Sequence, residues 1–73
     1  MPWKAPVTVA SPNAIDIGIS ADGTVWITDT QQNIHRRIGN RWELVPGQAV
    51  SVTGAGGGNA WVVTKNNEIF AMQ

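Results

Sequence analysis

The sequence contains no cysteine and no tyrosine, and only 14% of its residues are charged. Without cysteine the chain can form neither disulfide bonds nor a thiolate zinc site. Its five basic and five acidic residues balance, so it lacks the basic stripe typical of nucleic-acid binders. No apolar run approaches the roughly 20 residues that a membrane-spanning helix needs, and the first residues lack the apolar core of a signal peptide. We therefore expect a soluble protein that is expressed in the cytoplasm, without nucleic-acid binding or membrane insertion.

The sequence also lacks the usual patterns of catalytic and metal sites. His35 is the one histidine, and the acidic residues show no spacing that would pair two carboxylates for glycoside hydrolysis. No serine lies in a nucleophile elbow. The glycine-rich segment 54–58 is not followed by the Lys-Ser/Thr of a phosphate-binding loop, so we interpret it as a hairpin turn. We expect no enzymatic activity, no cofactor and no bound metal.

An internal repeat becomes visible when the sequence is shifted by 35 residues, which places Trp26 on Trp61. Apolar residues then coincide along the chain: Ile15 with Val50, Ile17 with Val52, Ile27 with Val62, and Ile34 with Ile69. A glycine before each tryptophan also coincides, Gly23 with Gly58. Repeats of this length are typical of stacked or ring-like architectures.

Each repeat unit is predicted to form short strands, because no stretch has helical periodicity. The predicted strands of the first unit are Ala14–Ile19, Thr24–Thr28, Asn33–Ile38 and Arg41–Val45, the last of them ended by Pro46-Gly47. Those of the second unit are Ala49–Thr53, Asn59–Thr64 and Glu68–Met72. Several strands are apolar on both faces, which favours sheets packed on two sides. The fold class is therefore all-β, with two four-stranded β-propeller blades per chain.

The two predicted blades do not divide the chain evenly. The first occupies residues 14–47, whereas residues 49–73 supply only three strands of the second. Residues 3–9 precede the first blade and are predicted to be an orphan outer strand. Because unpaired strand edges tend to associate, we expect residues 3–9 to complete a blade of a neighbouring copy, head to tail. The strand order thus predicts a homo-oligomer.

The first unit resembles the tectonin repeat over nearly its whole length. The matching segments are Ile15-Asp16-Ile17-Gly18, Gly23-Thr24-Val25-Trp26-Ile27-Thr28-Asp29, Ile34-His35-Arg36-Arg37, Gly39-Asn40-Arg41-Trp42 and Val45-Pro46-Gly47. This resemblance implies a six-bladed propeller, and many such proteins are lectins for lipopolysaccharide, N-acetylated sugars or O-methylated glycans. At two blades per chain, the resemblance implies a closed ring built as a homotrimer.

The four tryptophans of the chain suggest a carbohydrate site. Sugar binding uses flat aromatic faces together with planar polar groups that make two hydrogen bonds at once. The candidate carbohydrate-binding residues are Trp26, Asp29, Arg37, Trp42 and Trp61. Arg36 and Arg37 alternate across one strand, so one can face a ligand cleft or pair with an acid while the other faces solvent.

Structural roles compete with ligand binding at most of these positions. Trp26 and Trp61 are interpreted first as residues of the core and of the packing between blades, because buried aromatic rings dominate core energetics. Asp29 fits a turn residue that hydrogen-bonds its own backbone. His35 is a packing position, since its counterpart in the second unit is a phenylalanine. Asp16 is expected to have a structural role, capping turn amides between blades.

These observations predict a non-enzymatic, lectin-like subunit for multivalent recognition of glycans or lipopolysaccharide. Its expected partners are further copies of itself, with a trimer favoured, and a glycan ligand. Two alternatives remain open. In the first, the chain is an engineered or excised propeller scaffold that self-assembles without a defined ligand. In the second, it is a protein-interaction module.

Overall fold

The computed structural model describes residues 13–72, which form two antiparallel sheets without a helix. The first sheet consists of β1 (Ala14–Ile19), β2 (Val25–Asp29), β3 (Asn33–Ile38) and β4 (Arg41–Gln48), and the second of β5 (Ser51–Gly54), β6 (Ala60–Val63) and β7 (Ile69–Met72). In both sheets the spatial order of the strands equals their order in the chain. The all-β prediction is confirmed. The orphan strand expected at residues 3–9 lies outside the described residues.

The hairpin turns follow from residues that favour tight reversals. In the β1–β2 turn, Gly23 has a φ of 92°, a left-handed conformation that favours glycine. The Ser20 amide donates to the Thr24 carbonyl at 2.8 Å and closes this turn. The glycine-rich segment 54–58 forms the turn between β5 and β6, where the Ala55 amide donates to the Asn59 carbonyl at 2.9 Å. Its interpretation as a hairpin turn is confirmed.

Strand β4 is longer than the sequence predicted. Pro46-Gly47 was expected to end it, but the strand continues to Gln48. Asn33 pairs with Gln48 and Ile34 with Val45, so Pro46 and Gly47 lie in an irregularity of the β3–β4 ladder. A bulge leaves its extra residues without ladder hydrogen bonds, and proline, which has no amide hydrogen, is tolerated there. The Pro-Gly pair therefore interrupts the pairing without ending the strand.

The core lies between the two sheets. It consists of Trp26 and Ile34 from the first sheet, Val52, Ala60 and Val62 from the second, and Ala49 between the sheets. The backbones of the sheets meet at the β1–β5 contact, because Gly18 and Gly54 carry no side chain. A Cβ atom on Gly54 would lie 1.8 Å from the Ile19 carbonyl oxygen. Glycine is thus required at this contact.

Polar side chains also bridge the sheets. The Trp26 Nε1–H donates to Ser20 Oγ at 2.8 Å, and the Ser20 hydroxyl donates to the Asn59 carbonyl. Asp16 Oδ2 accepts hydrogen bonds from the Val52 amide at 2.8 Å and from the Ser51 hydroxyl at 2.9 Å. The Val52 amide is the main reason why the pKa of Asp16 lies below its usual value. The predicted structural role of Asp16 is confirmed, but the amide that it binds belongs to strand β5 and not to a turn.

The face of each sheet that points away from the core carries exposed apolar side chains. On the first sheet, the isoleucine face consists of Ile15, Ile17 and Ile19, which are 52%, 60% and 61% exposed. On the second sheet, the tryptophan face consists of Trp61 and Ile69, which are 51% and 66% exposed. Among residues 13–72 Trp61 is therefore not a core residue, and its interpretation as a residue that packs between blades stays a prediction. Contiguous apolar patches of this kind indicate interaction surfaces.

Candidate functional site

A groove with a volume of about 640 Å³ runs across the outer face of the first sheet. Its inner end, formed by β1 and β2, is lined by Ile17, Val25 and Ile27. Its outer end, formed by β3 and β4, is lined by Arg37 and Trp42. One end is therefore aliphatic, and the other combines a guanidinium group with an indole ring.

Arg37 and Trp42 are held together by the strand register. They are direct partners in the β3–β4 ladder, so their side chains lie on the same face of the sheet. The guanidinium carbon of Arg37 lies 5.2 Å from the centroid of the Trp42 ring, within the range of a cation–π interaction. Arg37 Nε also donates to the Gly39 carbonyl at 3.1 Å. The pair is thus a positioned aromatic and polar surface.

Arg36 lies on the opposite face of the same strand. It forms an ion pair with Glu43, and its guanidinium carbon lies 5.4 Å from the Trp26 ring centroid. The two arginines thus alternate across the strand as predicted, but the second does not simply face solvent: Arg36 meets an acid beside the core, and Arg37 lines the groove. Arg36 therefore has a structural role, and Arg37 is the arginine that faces the groove.

Asp29 ends strand β2 and organises the turn that follows. Its Oδ1 accepts hydrogen bonds from the Gln31 amide at 2.8 Å and from the Asn33 amide at 2.9 Å. Its Oδ2 lies 2.8 Å from His35 Nε2. The side chain fixes a turn in which Gln32 has a positive φ of 68°, a conformation that is uncommon for residues other than glycine. The interpretation of Asp29 as a turn residue is confirmed.

The family model for the Tectonin domain matches residues 12–73, which is most of the chain. The chain belongs to the tectonin family. A search of curated proteins gave no match to it.

The five candidate carbohydrate-binding residues of this tectonin chain lie in different parts of the structure. Trp42 and Arg37 lie together in the groove. Trp26 is 0% exposed and therefore offers no surface to a ligand, which corrects its inclusion in the site. Asp29 is 7% exposed, and both of its carboxylate oxygens are already engaged. Trp61 lies on the other sheet, on the face that points away from the core.

The Asp29–His35 contact was missed from the sequence, where His35 was interpreted as a packing residue. In retrospect, the pairing of β2 with β3 indicates this contact. Ile27 pairs with His35 across the β2–β3 hairpin, and Asp29 lies two residues beyond Ile27 on the same face of the strand. A carboxylate and an imidazole so placed lie within reach of each other. The register could be assigned only once the intervening turn was known.

The pH dependence of stability should report on Asp29. Its pKa is lowered from 3.8 to about 2, mainly by the hydrogen bond with His35 and further by the Asn33 and Gln31 amides. A depressed carboxyl pKa stabilises the fold above the unfolded value, and this contribution is lost as pH falls from about 4 toward 2. We expect the Asp29→Asn variant to lose less stability than the wild type over that interval.

Urea denaturation at several pH values between 2 and 6 measures this difference. Asp22 serves as the control, because hydrogen bonds from neighbouring Thr24 lower the pKa of its carboxyl in the same direction, but in an exposed turn away from Asp29. An Asp22→Asn variant should retain the Asp29-dependent loss of stability. Parallel pH profiles for the Asp29→Asn variant and the wild type would show that the Asp29 contacts contribute no pH dependence.

Residues 13–72 contain no group of three or more histidine, cysteine, aspartate or glutamate residues placed to hold a metal ion. None of the structure in this range is a helix long and apolar enough to cross a membrane.

Proposed function

We propose that this tectonin chain is a non-enzymatic, lectin-like subunit that binds glycans at the outer end of the groove. The observation that carries the proposal is the Arg37–Trp42 pair, a planar cation at 5.2 Å from an indole ring at the mouth of an exposed groove. An indole face packs against the apolar side of a pyranose ring, and a guanidinium group donates two hydrogen bonds to neighbouring hydroxyls. The association of tectonin domains with lectin-like β-propellers supports it.

The assembly that we propose is a homotrimer that closes a six-bladed propeller. The two sheets that residues 13–72 form do not make a ring, and both of their outer faces are apolar and exposed. Each subunit contributes one groove, so a trimer presents three sites in fixed positions. Several rigidly held sites bind a repeated glycan far more tightly than one site does. Lipopolysaccharide and densely glycosylated surfaces are the ligands that such an arrangement suits.

The test is a glycan array that includes lipopolysaccharide, N-acetylated sugars and O-methylated glycans, followed by calorimetry on each hit. We expect Arg37→Ala and Trp42→Ala each to weaken binding at least about tenfold, because a charge-assisted hydrogen bond contributes about 1.5–3 kcal/mol. Arg41→Ala is the matched control, since Arg41 is an exposed arginine next to Trp42 on strand β4 and is not among the residues that line the groove. It should bind as the wild type does.

Two results would contradict the proposal. The first is an array on which assembled protein binds no glycan. The second is a glycan that binds the Arg37→Ala and Trp42→Ala variants as tightly as the wild type. An assembled protein without any glycan ligand would instead support the second candidate, a self-assembling scaffold, which the exposed isoleucine and tryptophan faces favour.

A further inference from the structure

The contact between the two sheets consists of two complementary halves. The first sheet supplies a projecting half, Trp26 and Ile34, which are 0% and 1% exposed. The second sheet supplies a receiving half, Val52, Ala60 and Val62, which are 3%, 0% and 1% exposed. These five residues belong to a single core cluster. A tryptophan from one sheet is thus received by small and branched aliphatic residues of the next.

The 35-residue repeat places a second projecting half on the far side of the second sheet. Trp61 is the counterpart of Trp26, and Ile69 is the counterpart of Ile34. Thr53 and Ala71 flank Trp61 in the strand pairing. Trp61 and Ile69 are 51% and 66% exposed, whereas their counterparts are buried. The tryptophan face therefore repeats the projecting half, but neither of the sheets formed by residues 13–72 packs against it.

The same shift places a second receiving half on the far side of the first sheet. Ile17, Val25 and Ile27 are the counterparts of Val52, Ala60 and Val62. All three line the inner end of the groove. Ile17 is 60% exposed, whereas its counterpart Val52 is 3% exposed. Ile27 is only 2% exposed, so the surface that is open to a partner at this end comes mainly from Ile17, with Val25 partly exposed. The groove is therefore the position that corresponds to the Trp26 site in the chain's own core.

We infer that Trp61 of one copy fills the inner end of the groove of a second copy, against Ile17, Val25 and Ile27. The occupant follows from continuity with the interface inside the chain, where residues of the same kinds at equivalent positions already pack together. The two contacting faces differ from each other, so the contact is head to tail and each copy retains one free half. This inference specifies the assembly in the proposed function, but it does not depend on glycan binding.

The second copy would also form part of the ligand site. Arg37 and Trp42 line the outer end of the same groove whose inner end receives Trp61. The tryptophan face of the second copy would then form the opposite wall beside the Arg37–Trp42 pair. In this arrangement the carbohydrate site is complete only between two copies.

The contact between copies cannot reproduce every detail of the contact inside the chain. The counterparts of Gly18 and Gly54 are Thr53 and Ile19, so side chains occupy the end where the two backbones meet inside the chain. Ala55 stands at the position equivalent to Ser20, the hydroxyl that accepts from the Trp26 indole. The contact between copies thus relies on apolar burial. Because it joins separate chains, the association depends on protein concentration.

A complementation experiment tests this head-to-tail contact. Ile17→Glu blocks the groove, Trp61→Glu removes the projecting tryptophan, and both positions are more than half exposed in the chain itself. We expect each variant alone to be a folded monomer by circular dichroism and light scattering. An equimolar mixture should form heterodimers, because the Ile17→Glu chain keeps Trp61 and the Trp61→Glu chain keeps an intact groove. Asn66→Glu, which adds the same charge in an exposed turn, should assemble as the wild type does.

Two results would overturn the inference. One is a variant that keeps the mass of the wild-type assembly, and the other is a mixture of folded variants that stays monomeric. If a glutamate variant fails to fold, Ile17→Ala and Trp61→Ala replace it and should weaken association at least tenfold; an unchanged association constant overturns the inference. All masses are measured without sugar. An assembled protein that binds no glycan would contradict the proposed function and leave this contact intact.

Discussion

Trp26→Ala is expected to lower the free energy of unfolding by about 3–5 kcal/mol, as truncation of a large core side chain does. The ring is 0% exposed and lies in the cluster that joins the two sheets. Its removal leaves a cavity and also takes away the donor to Ser20 Oγ. Urea denaturation followed by circular dichroism measures the loss. A change below about 1 kcal/mol would contradict the description of the core.

Trp61→Ala is the matched control, because Trp61 occupies the equivalent strand position in the second sheet. It is 51% exposed, so the single chain should lose little stability. Assembly buries this ring in our account, and assembly stabilises by mass action. The loss caused by Trp61→Ala should therefore grow with protein concentration, whereas the loss caused by Trp26→Ala should not.

Gly54→Ala is expected to destabilise the chain by more than about 3 kcal/mol, at the upper end of what overpacking costs. The new Cβ would lie 1.8 Å from the Ile19 carbonyl oxygen and 2.0 Å from its carbon. These atoms are backbone, so relief requires β1 and β5 to move apart and the core between the sheets to open. Thermal and urea denaturation measure the effect.

Gly56→Ala is the control for this substitution. Gly56 lies in the same glycine-rich turn, and a Cβ atom there would meet nothing within 4 Å. It should change stability by no more than about 0.5 kcal/mol, as substitutions at open surface positions do. Equal stability of the Gly54→Ala and Gly56→Ala variants would show that the β1–β5 contact is not as close as described.

Most of the fold follows from the sequence, because alternation and turn residues are local signals. The strand Asn33–Ile38 was predicted with its observed bounds. The extension of β4 through Pro46 was not, since a bulge depends on how Asn33 and Ile34 pair across the sheet. In the local sequence a proline predicts the end of a strand. Only the pairing with the partner strand shows that the ladder resumes after it.

The candidate site was predicted less completely, because ligand contact depends on which face of a sheet is covered. Trp26 and Trp61 have the same position in the repeat, and nothing in the sequence shows that the second sheet covers only Trp26. Arg37 and Trp42 could be predicted as candidates, but their pairing needs the β3–β4 register. The Asp29–His35 contact likewise depends on the β2–β3 register.

The central claim is that the isoleucine face and the tryptophan face of this chain are two halves of one contact and meet between copies. The mass of the wild-type protein in solution, measured by light scattering over a range of concentrations, tests it most directly. We expect an assembly with three times the mass of one chain, which dissociates on dilution. A folded protein that has the mass of a single chain at every concentration would contradict it.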